Sequence, residues 1–232
     1  MICHAECFET METDWTSLPI HVIDFEGSND YGVIEYGIAV VQDAKVVECH
    51  SGVCEAEDEI SQSDSWKHGL RRQDTEGQPN FAKHWELFNA LRKRGPFAAH
   101  HASVENRLLK RSWPHPSASP SFYGSTDSVT SWGPWIDSRA IYQKVYPDLS
   151  EHKLGSLIET FQLQEQLDEM AMEHCPNRRC KYHCALYDAL ASAQLLIHLG
   201  NQGGFEDMTI EWLIEMSAST SVATELRQPK LL

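Results

Sequence analysis

The sequence predicts an α/β fold in which three β-strands come first and helices then alternate with two further strands. Apolar runs of strand length occupy residues 20–27, 33–41, 45–54, 97–100 and 135–137. The short polar link at 42–44 suits a hairpin, so the second and third strands must pair antiparallel. At 232 residues the chain is long enough to bury a full core.

The first strand carries two carboxylates one residue apart. It follows Pro19, ends at Gly27 and contains Asp24 and Glu26. Side chains alternate between the faces of a strand, so both carboxylates project from the same face. Two like charges this close repel unless a cation neutralises them, and oxygen ligands suit Mg²⁺ or Mn²⁺ better than zinc. An isolated Asp-x-Glu is more often a strand that ends in an acidic turn, so the choice depends on residues downstream.

A helix and a short strand lead to a third carboxylate. Residues 81–94 place apolar side chains at helical spacing, and Gly95-Pro96 ends that helix. The short buried strand that follows runs into a second helix, for which Ser103 is the expected N-cap. Glu105 then lies in the first turn, above a strand end, where α/β proteins place their active sites.

The segment at 113–133, rich in proline and serine, predicts a surface insertion that could contact substrate. Trp132 near its end and Trp135 just beyond it suit either base stacking or packing. Basic clusters at 92–94 and 178–181 could touch phosphates, but the first lies at a helix end and is expected to be solvated surface charge.

A histidine and a carboxylate form a further candidate pair. His183 and Asp188 are five residues apart, or about 140° around an α-helix. They converge on one site only if His183 precedes the helix and Asp188 sits one turn inside it. A stripe of alanines every four residues from Ala185 would let this helix pack tightly on a sheet. A histidine at a helix N-terminus is favoured in its neutral form, and neutral imidazole can act as a general base.

In this order the residues resemble the motifs of the DEDDh superfamily of 3′-5′ exonucleases, which includes polymerase proofreading domains and ribonuclease T. The matching segments are Asp24-Phe25-Glu26 for Asp-x-Glu, 100–105 for His-Asn-Ala-x-Phe-Asp, and 183–188 for His-x4-Asp. Residues 136–138 and 152–157 also resemble segments that the family carries before its third motif. The sequence departs from the family at His101, where Asn is usual, and at Glu105, where Asp is usual.

The resemblance implies a ribonuclease H-like fold, with a mixed β-sheet of about five strands flanked by helices. It implies a divalent-metal-dependent exonuclease that hydrolyses phosphodiester bonds from the 3′ end and releases nucleoside 5′-monophosphates. Two Mg²⁺ or Mn²⁺ ions would be the cofactor. By the resemblance, the roles divide over five residues: Asp24 bridges both ions, Glu26 and Asp188 bind the ion near the nucleophile, Glu105 supports the other ion, and His183 takes the proton from the attacking water.

Two other interpretations are open. A dense group of possible soft ligands could form a zinc site: His174, Cys175, Cys180, His183 and Cys184. Against zinc, the group lacks a paired Cys-x2-Cys framework and would consume the proposed base. The chain could also be a catalytically inactive exonuclease fold that binds nucleic acid, a reading supported only by glutamate at position 105.

Composition and charge limit the possible partners and the cellular location of the protein. The net charge of −15 argues against a protein that coats nucleic acid through bulk electrostatics. The expected partner is a nucleic-acid strand with a free 3′ end, DNA favoured over RNA, and no apolar run approaches membrane-spanning length. Seven cysteines without a disulfide spacing, and a start unlike a signal peptide, predict a reduced, cytoplasmic protein. The predicted organisation is an extension at 1–18, an exonuclease domain at 19–200 and a short helix with a tail at 201–232.

Overall fold

The computed structural model describes residues 13–124 and 128–219, and its strands form one main sheet. The strands are β1 Ile20–Ser28, β2 Gly32–Gln42, β3 Lys45–Val53, β4 Phe97–Ala99, β5 Ser119–Pro120, β6 Ser128–Val129 and β7 Trp135–Asp137. Five of them follow the order β3-β2-β1-β4-β7, antiparallel from β3 to β1 and parallel from β1 to β7. The short strands β5 and β6 pair with each other. The predicted mixed sheet of five strands is confirmed.

Helices cover both faces of this sheet. They are α1 Gln62–His68, α2 Arg72–Thr75, α3 Trp85–Arg94, α4 Ala102–Ser112, α5 Ser138–Val145, α6 Leu154–Thr160, α7 Gln164–His174, α8 Ala185–Gly200 and α9 Ile210–Ser217, with a 3₁₀ turn at Phe81–His84 before α3. Within the described ranges, no helix combines the length and the apolar character needed to cross a bilayer.

The alternation of side chains along β1 divides the core into two layers. Ile20 and Val22 pack into one cluster with α5 to α9. Ile23 and Phe25 pack into the other cluster, with the 3₁₀ turn, α3 and α4. The two-residue period therefore directs the even-numbered positions of β1, and with them its two carboxylates, to the face that α8 covers.

The predicted hairpin between β2 and β3 is confirmed and has a two-residue turn. Gln42 pairs with Lys45, and the two residues between them, Asp43 and Ala44, have φ of 51° and 56°. Two left-handed residues in succession match the right-handed twist of the strands that they join.

The close approach of α8 to the sheet depends on Gly37 in β2. A Cβ atom at this position would overlap the backbone of Ala185 and Leu186 at the start of α8. Gly37 pairs with Asp24 across β1 and β2. The first turn of α8 consequently lies against the sheet beside Asp24, and the predicted stripe of alanines on this helix is fully buried.

The two ends of the described chain pack together on the core. Trp15 is buried, its N–H donates to the carbonyl of Met208 at 3.2 Å, and its ring lies against Gly200. The Ile210 N–H donates to the carbonyl of Thr13 at 2.9 Å. From residue 13 onward the expected loose extension is therefore packed, because a buried tryptophan joins it to the segment before α9. Residues 1–12 and the predicted tail from 220 lie outside the described residues.

The segment at 113–133, expected at the surface, also contributes to the core. Trp132 is fully buried, and its ring stacks on Phe97 with centroids 5.9 Å apart and planes 8° apart. The Trp132 indole N–H donates to the carbonyl of Trp113 at 2.9 Å. Of the two roles open to Trp132, this burial supports packing over base stacking.

A buried arginine holds this segment against α3. Arg92 is 1% exposed, so the prediction of a solvated charge is wrong for this residue. Its guanidinium donates to the carbonyls of Trp132, Pro120 and Gly133 at 3.1, 3.0 and 2.7 Å. It also lies 5.2 Å from the centroid of the Phe122 ring. The hydrogen bonds explain how a cation is accommodated at this position, since three backbone carbonyls accept from the guanidinium and one of them, that of Trp132, is buried.

We expect Arg92→Ala to lower the melting temperature and the free energy of unfolding. The buried Trp132 carbonyl would lose its donor, which costs about 1–3 kcal/mol. The neighbouring exposed residue supplies the control, because Lys93→Ala should change the free energy of unfolding by no more than about 0.5 kcal/mol. Chemical denaturation followed by tryptophan fluorescence measures both variants. Equal stabilities for the two would contradict a structural role for the Arg92 guanidinium.

Candidate active site

The face of β1 that α8 covers presents the two predicted carboxylates. Asp24 is half-buried and Glu26 is 6% exposed. Both lie in the second half of the strand, beyond the two residues, His21 and Val22, that pair with β4. They stand on one face, as predicted from the strand period.

The start of α8 brings His183 and Asp188 to the same place. His183 precedes the helix by two residues, has φ of 62°, and donates its backbone N–H to Asp188 Oδ2 at 3.0 Å. Asp188 sits in the first turn, which is the arrangement that convergence required. One ligand atom from each of Glu26, His183 and Asp188 lies within 4.8 Å of the others. Asp24 and Glu105 stand outside this three-residue group.

Glu105 reaches the site from α4. It is 5% exposed, and the backbone N–H of Phe25, the residue between the two carboxylates of β1, acts to lower its pKa. The helix begins at Ala102, two residues before the start that a cap at Ser103 implies, and His101 occupies the N-cap position instead. The first turn nevertheless points Glu105 at the end of β1.

Asp137, at the end of β7, caps α4 from a distance. Its carboxylate accepts the N–H groups of His101 and Ala102 at 3.1 and 2.9 Å, and it also caps its own helix through Ala140 N–H at 3.2 Å. The Asp137 N–H in turn donates to Ser217 Oγ in α9 at 2.7 Å. His101, which stands where the resembling family usually has Asn, has φ of 83° and is exposed. One carboxylate thus fixes the orientation of the helix that carries Glu105.

His100 has a structural role beside this cap. Its Nδ1 and the Ser138 hydroxyl are 2.9 Å apart, and its Nε2 lies 3.0 Å from the carbonyl of His152. Burial lowers the pKa of His100 to about 4, so the ring is neutral near neutral pH. The two partners of His100, Ser138 and His152, belong to the segments at 136–138 and 152–157 that resemble the family in sequence.

The four carboxyl groups crowd a largely buried region. Burial, with the negative charge of Asp188, raises the pKa of Glu26 to about 8 and that of Asp24 well above its usual value. Burial raises the pKa of Asp188 to about 7, although the His183 N–H and the Lys67 ammonium act in the opposite direction. Burial and the charge of Glu26 also hold the pKa of Glu105 well above its usual value. The folded chain therefore favours uptake of positive charge here.

His183 is exposed at the rim of this group. Partial burial of its ring and the nearby positive charge of Lys67 lower its pKa. The imidazole is consequently neutral near neutral pH and can accept a proton.

A buried ion pair that the sequence reasoning missed holds the site together. Glu35 in β2 accepts hydrogen bonds from Arg179 through both carboxylate oxygens, and one of these oxygens also accepts the Ala185 N–H at 3.1 Å. Arg179 Nη1 donates to the carbonyl of His68 at 2.6 Å. The sequence signal was a single carboxylate within the otherwise apolar start of β2, next to Ile34. The cluster at 178–181 is thus not wholly solvated.

The donor set fits hard divalent cations. Asp188 Oδ1 and Glu105 Oε2 are buried without a hydrogen-bond partner. Carboxylate oxygens with one imidazole at the edge suit Mg²⁺ or Mn²⁺. Asp24 and Glu26 have raised pKa values from the same crowding, which a cation would relieve.

The cysteines form no comparable group. Across the described ranges, Glu26, His183 and Asp188 are the one set of three or more potential ligands with atoms this close together. Cys180 is exposed and directs its sulfur to the carbonyl of Ala171 at 3.5 Å, whereas Cys184 is buried. The geometry therefore does not support the zinc alternative.

Solved structures share this fold, although no protein-family model matches the chain and no curated protein matches its sequence. Exonuclease X in complex with 5′ overhanging duplex DNA is 20% identical with a TM-score of 0.62, over 86% of this chain and 99% of that chain. The nuclease domain of 3′hExo, a DEDDh family member bound to rAMP, is 14% identical with a TM-score of 0.55, over 83% and 96%. Pop2p of S. pombe, in its Mg²⁺ and Mn²⁺ bound form, is 14% identical with a TM-score of 0.57, over 82% and 86%. The chain thus has the fold of the DEDDh exonucleases, as its motifs predicted.

We expect Mg²⁺ or Mn²⁺ to raise the melting temperature more at about pH 8 than at about pH 5. A carboxyl whose folded-state pKa is raised contributes stability that is complete below its unfolded pKa, near 4, and is lost as the pH rises through the folded value. For Asp188 and Glu26 that loss extends to pH of about 7 and about 8. A bound cation offsets the loss. Thermal unfolding in EDTA and in Mn²⁺ at both pH values measures the difference.

The variant Asp188→Asn should raise the metal-free melting temperature at about pH 8 and reduce the increase that Mn²⁺ causes. The amide keeps an acceptor for the His183 N–H and removes the charge. Glu169→Gln, at an exposed position on α7, is the matched control and should change neither quantity. A melting temperature independent of divalent ions in the wild type would contradict the metal site.

Proposed function

We propose that this chain is a divalent-metal-dependent 3′-5′ exonuclease, which removes nucleoside 5′-monophosphates from the 3′ end of a nucleic-acid strand. The observation that carries the proposal is the convergence of Glu26, His183 and Asp188 on one point of a fold shared with exonucleases. Asp24 and Glu105 border this point, and burial, together with the charges of Glu26 and Asp188, raises the pKa of both.

The four carboxylates would hold the cations. Asp24 and Glu26 come from one strand, Glu105 from the start of α4 and Asp188 from the start of α8. When bound, divalent ions neutralise the charge that develops on the scissile phosphate and promote ionisation of a water molecule. The Mg²⁺ and Mn²⁺ bound form of Pop2p supports the same choice of ions for this chain.

His183 would accept the proton of the attacking water on an imidazole nitrogen. Its lowered pKa keeps the ring neutral near neutral pH, and its exposure lets the proton pass to solvent. The hydrogen bond from its own N–H to Asp188 fixes the backbone on which the ring turns. A positioned general base contributes about 10²–10⁴ in rate.

The substrate is a strand with a free 3′ end. Exonuclease X is in complex with 5′ overhanging duplex DNA, and another neighbour is a 3′-exonuclease that recognises a histone mRNA stem-loop, so the neighbours support DNA and RNA alike. We favour DNA, to be tested against RNA. The free cysteines at 49, 54, 175, 180 and 184 suit a reducing compartment, and we propose the cytoplasm.

The test is a 5′-labelled oligonucleotide of DNA or RNA incubated with the full chain and Mg²⁺, Mn²⁺ or EDTA. We expect a ladder of products that shorten stepwise from the 3′ end with either ion and not with EDTA. Asp24→Asn is the inactive control, because it removes a carboxylate without changing side-chain shape. Folded protein that cleaves neither nucleic acid would favour the inactive binding module, and cleavage in EDTA would exclude the metal-dependent reaction.

We expect Arg179→Lys to lower kcat by about 10² while changing KM little, since a misplacement of about 1 Å has that effect on a reaction. One ammonium cannot reproduce the hydrogen bonds that Arg179 makes to Glu35 and to the carbonyl of His68. Arg179 acts here as a positioning residue for His183.

The exposed neighbour provides the matched control for this variant. Arg178→Lys makes the same chemical change one residue away and should retain the wild-type kcat. Rates are measured well below the melting temperatures of both variants, so loss of stability alone does not lower kcat. A wild-type kcat for Arg179→Lys would show that the ion pair does not position the base.

A further inference from the structure

The end of α1 is fixed beside the loop that carries His183. Arg179 Nη1 donates to the carbonyl of His68, the last residue of α1, at 2.6 Å. Gly69 then ends the helix with φ of 75°, and its N–H donates to the carbonyl of Ser65 at 2.9 Å. The buried pair of Arg179 with Glu35 anchors this contact. The last turn of α1 is therefore part of the wall of the candidate site.

Two exposed lysines, Lys67 and Lys181, lie at this wall. Lys67 lies in the last turn of α1, and its positive charge acts on Glu26, Asp188 and His183 together. Lys181 Nζ lies 4.0 Å from the position that a Cβ atom would take at Gly69. Among the ion pairs of the described residues, none involves either lysine. Two unpaired cations beside a carboxylate cluster, in a chain of net charge −15, are available to phosphates.

An exposed tryptophan stands on the same helix. Trp66 is 78% exposed, the highest value among the large apolar residues that the structure describes as exposed. It lines an open concavity of about 640 Å³ together with Ser65, Gly69 and Arg71. An indole ring with this exposure offers a flat surface on which a base can stack.

We propose that Trp66, Lys67 and Lys181, termed here the α1 rim, bind the substrate strand next to the bond that is cleaved. The two lysines contact phosphates of the strand, and Trp66 stacks on an unpaired base. This inference rests on the proposed exonuclease function and adds a substrate class to it, a single-stranded 3′ end. Unpaired bases are required because a base within a duplex already has neighbours on both of its faces.

Binding is measured without cleavage in the Asp24→Asn background with Mg²⁺ present. The anisotropy of a 5′-fluorescein-labelled single strand gives Kd over a series of salt concentrations. Each phosphate contact contributes about 0.7 to the slope of log K against log salt for a single strand. Lys67→Gln and Lys181→Gln should each reduce that slope by about 0.7 and weaken binding at low salt. The control is Lys93→Gln, an exposed lysine on α3, whose slope should equal that of the parent.

The stacking contact is tested with Trp66→Ala. We expect Kd for the single strand to rise roughly tenfold, and Kd for a blunt duplex of equal length to stay unchanged. Equal effects on the two ligands would overturn the stacking contact. Slopes for both lysine variants equal to that of Lys93→Gln would overturn the phosphate contacts.

The readout separates this inference from the proposed function. In one outcome, the wild type cleaves while all three rim variants keep the salt slope and Kd of the parent. That result would support the proposed exonuclease function and overturn binding at the α1 rim. Conversely, the lysine variants can show a reduced salt slope although the wild type cleaves neither DNA nor RNA. In that case the α1 rim binds nucleic acid and the proposed exonuclease function is wrong. Thermal unfolding confirms that each surface variant is folded.

Discussion

The arrangement of the site depends on one buried carboxylate, that of Glu35. It accepts hydrogen bonds from Arg179 and from the first N–H of α8, so one group on β2 fixes the loop before the helix and the helix itself. Arg179 extends this control to the end of α1. A buried ion pair adds little net stability, because desolvation offsets its attraction, but removing one partner is strongly unfavourable. Here the ion pair holds the segment that carries His183 in a single conformation.

The carboxylate cluster shows where stability and chemistry oppose each other. Burial and mutual repulsion raise the pKa of Glu26 to about 8 and that of Asp188 to about 7. Such a group weakens the folded state above neutral pH unless a cation enters. The surrounding core compensates, since Gly37 admits α8 close to the sheet and the fully buried helix face packs there. Apolar packing beside the carboxylate cluster thus stabilises a fold that keeps a binding site for divalent ions.

The sequence predicted features that depend on near neighbours and missed those that depend on distant ones. The period of β1 placed Asp24 and Glu26 on one face, and the five-residue spacing allowed His183 and Asp188 to meet. Glu35 and Arg179 are 144 residues apart, and no local pattern pairs them. Arg92 was misjudged for the same reason, because its acceptors lie 28 to 41 residues away. Ser103 has a residue type that often caps helices, but the N–H groups at the start of α4 are capped by the carboxylate of Asp137 at the end of β7.

The hydrogen bond from Asp137 to Ser217 bears on how the protein is made. Asp137 orients the helix that carries Glu105, and α9 supports Asp137 through the Ser217 hydroxyl. A chain emerging from the ribosome would expose β1, α4 and α8 before α9, because synthesis proceeds from the N-terminus. The last support of the Glu105 helix is then absent until residue 217 is free. A nascent chain would therefore acquire its complete site only after α9 has left the ribosome, later than its first two carboxylates.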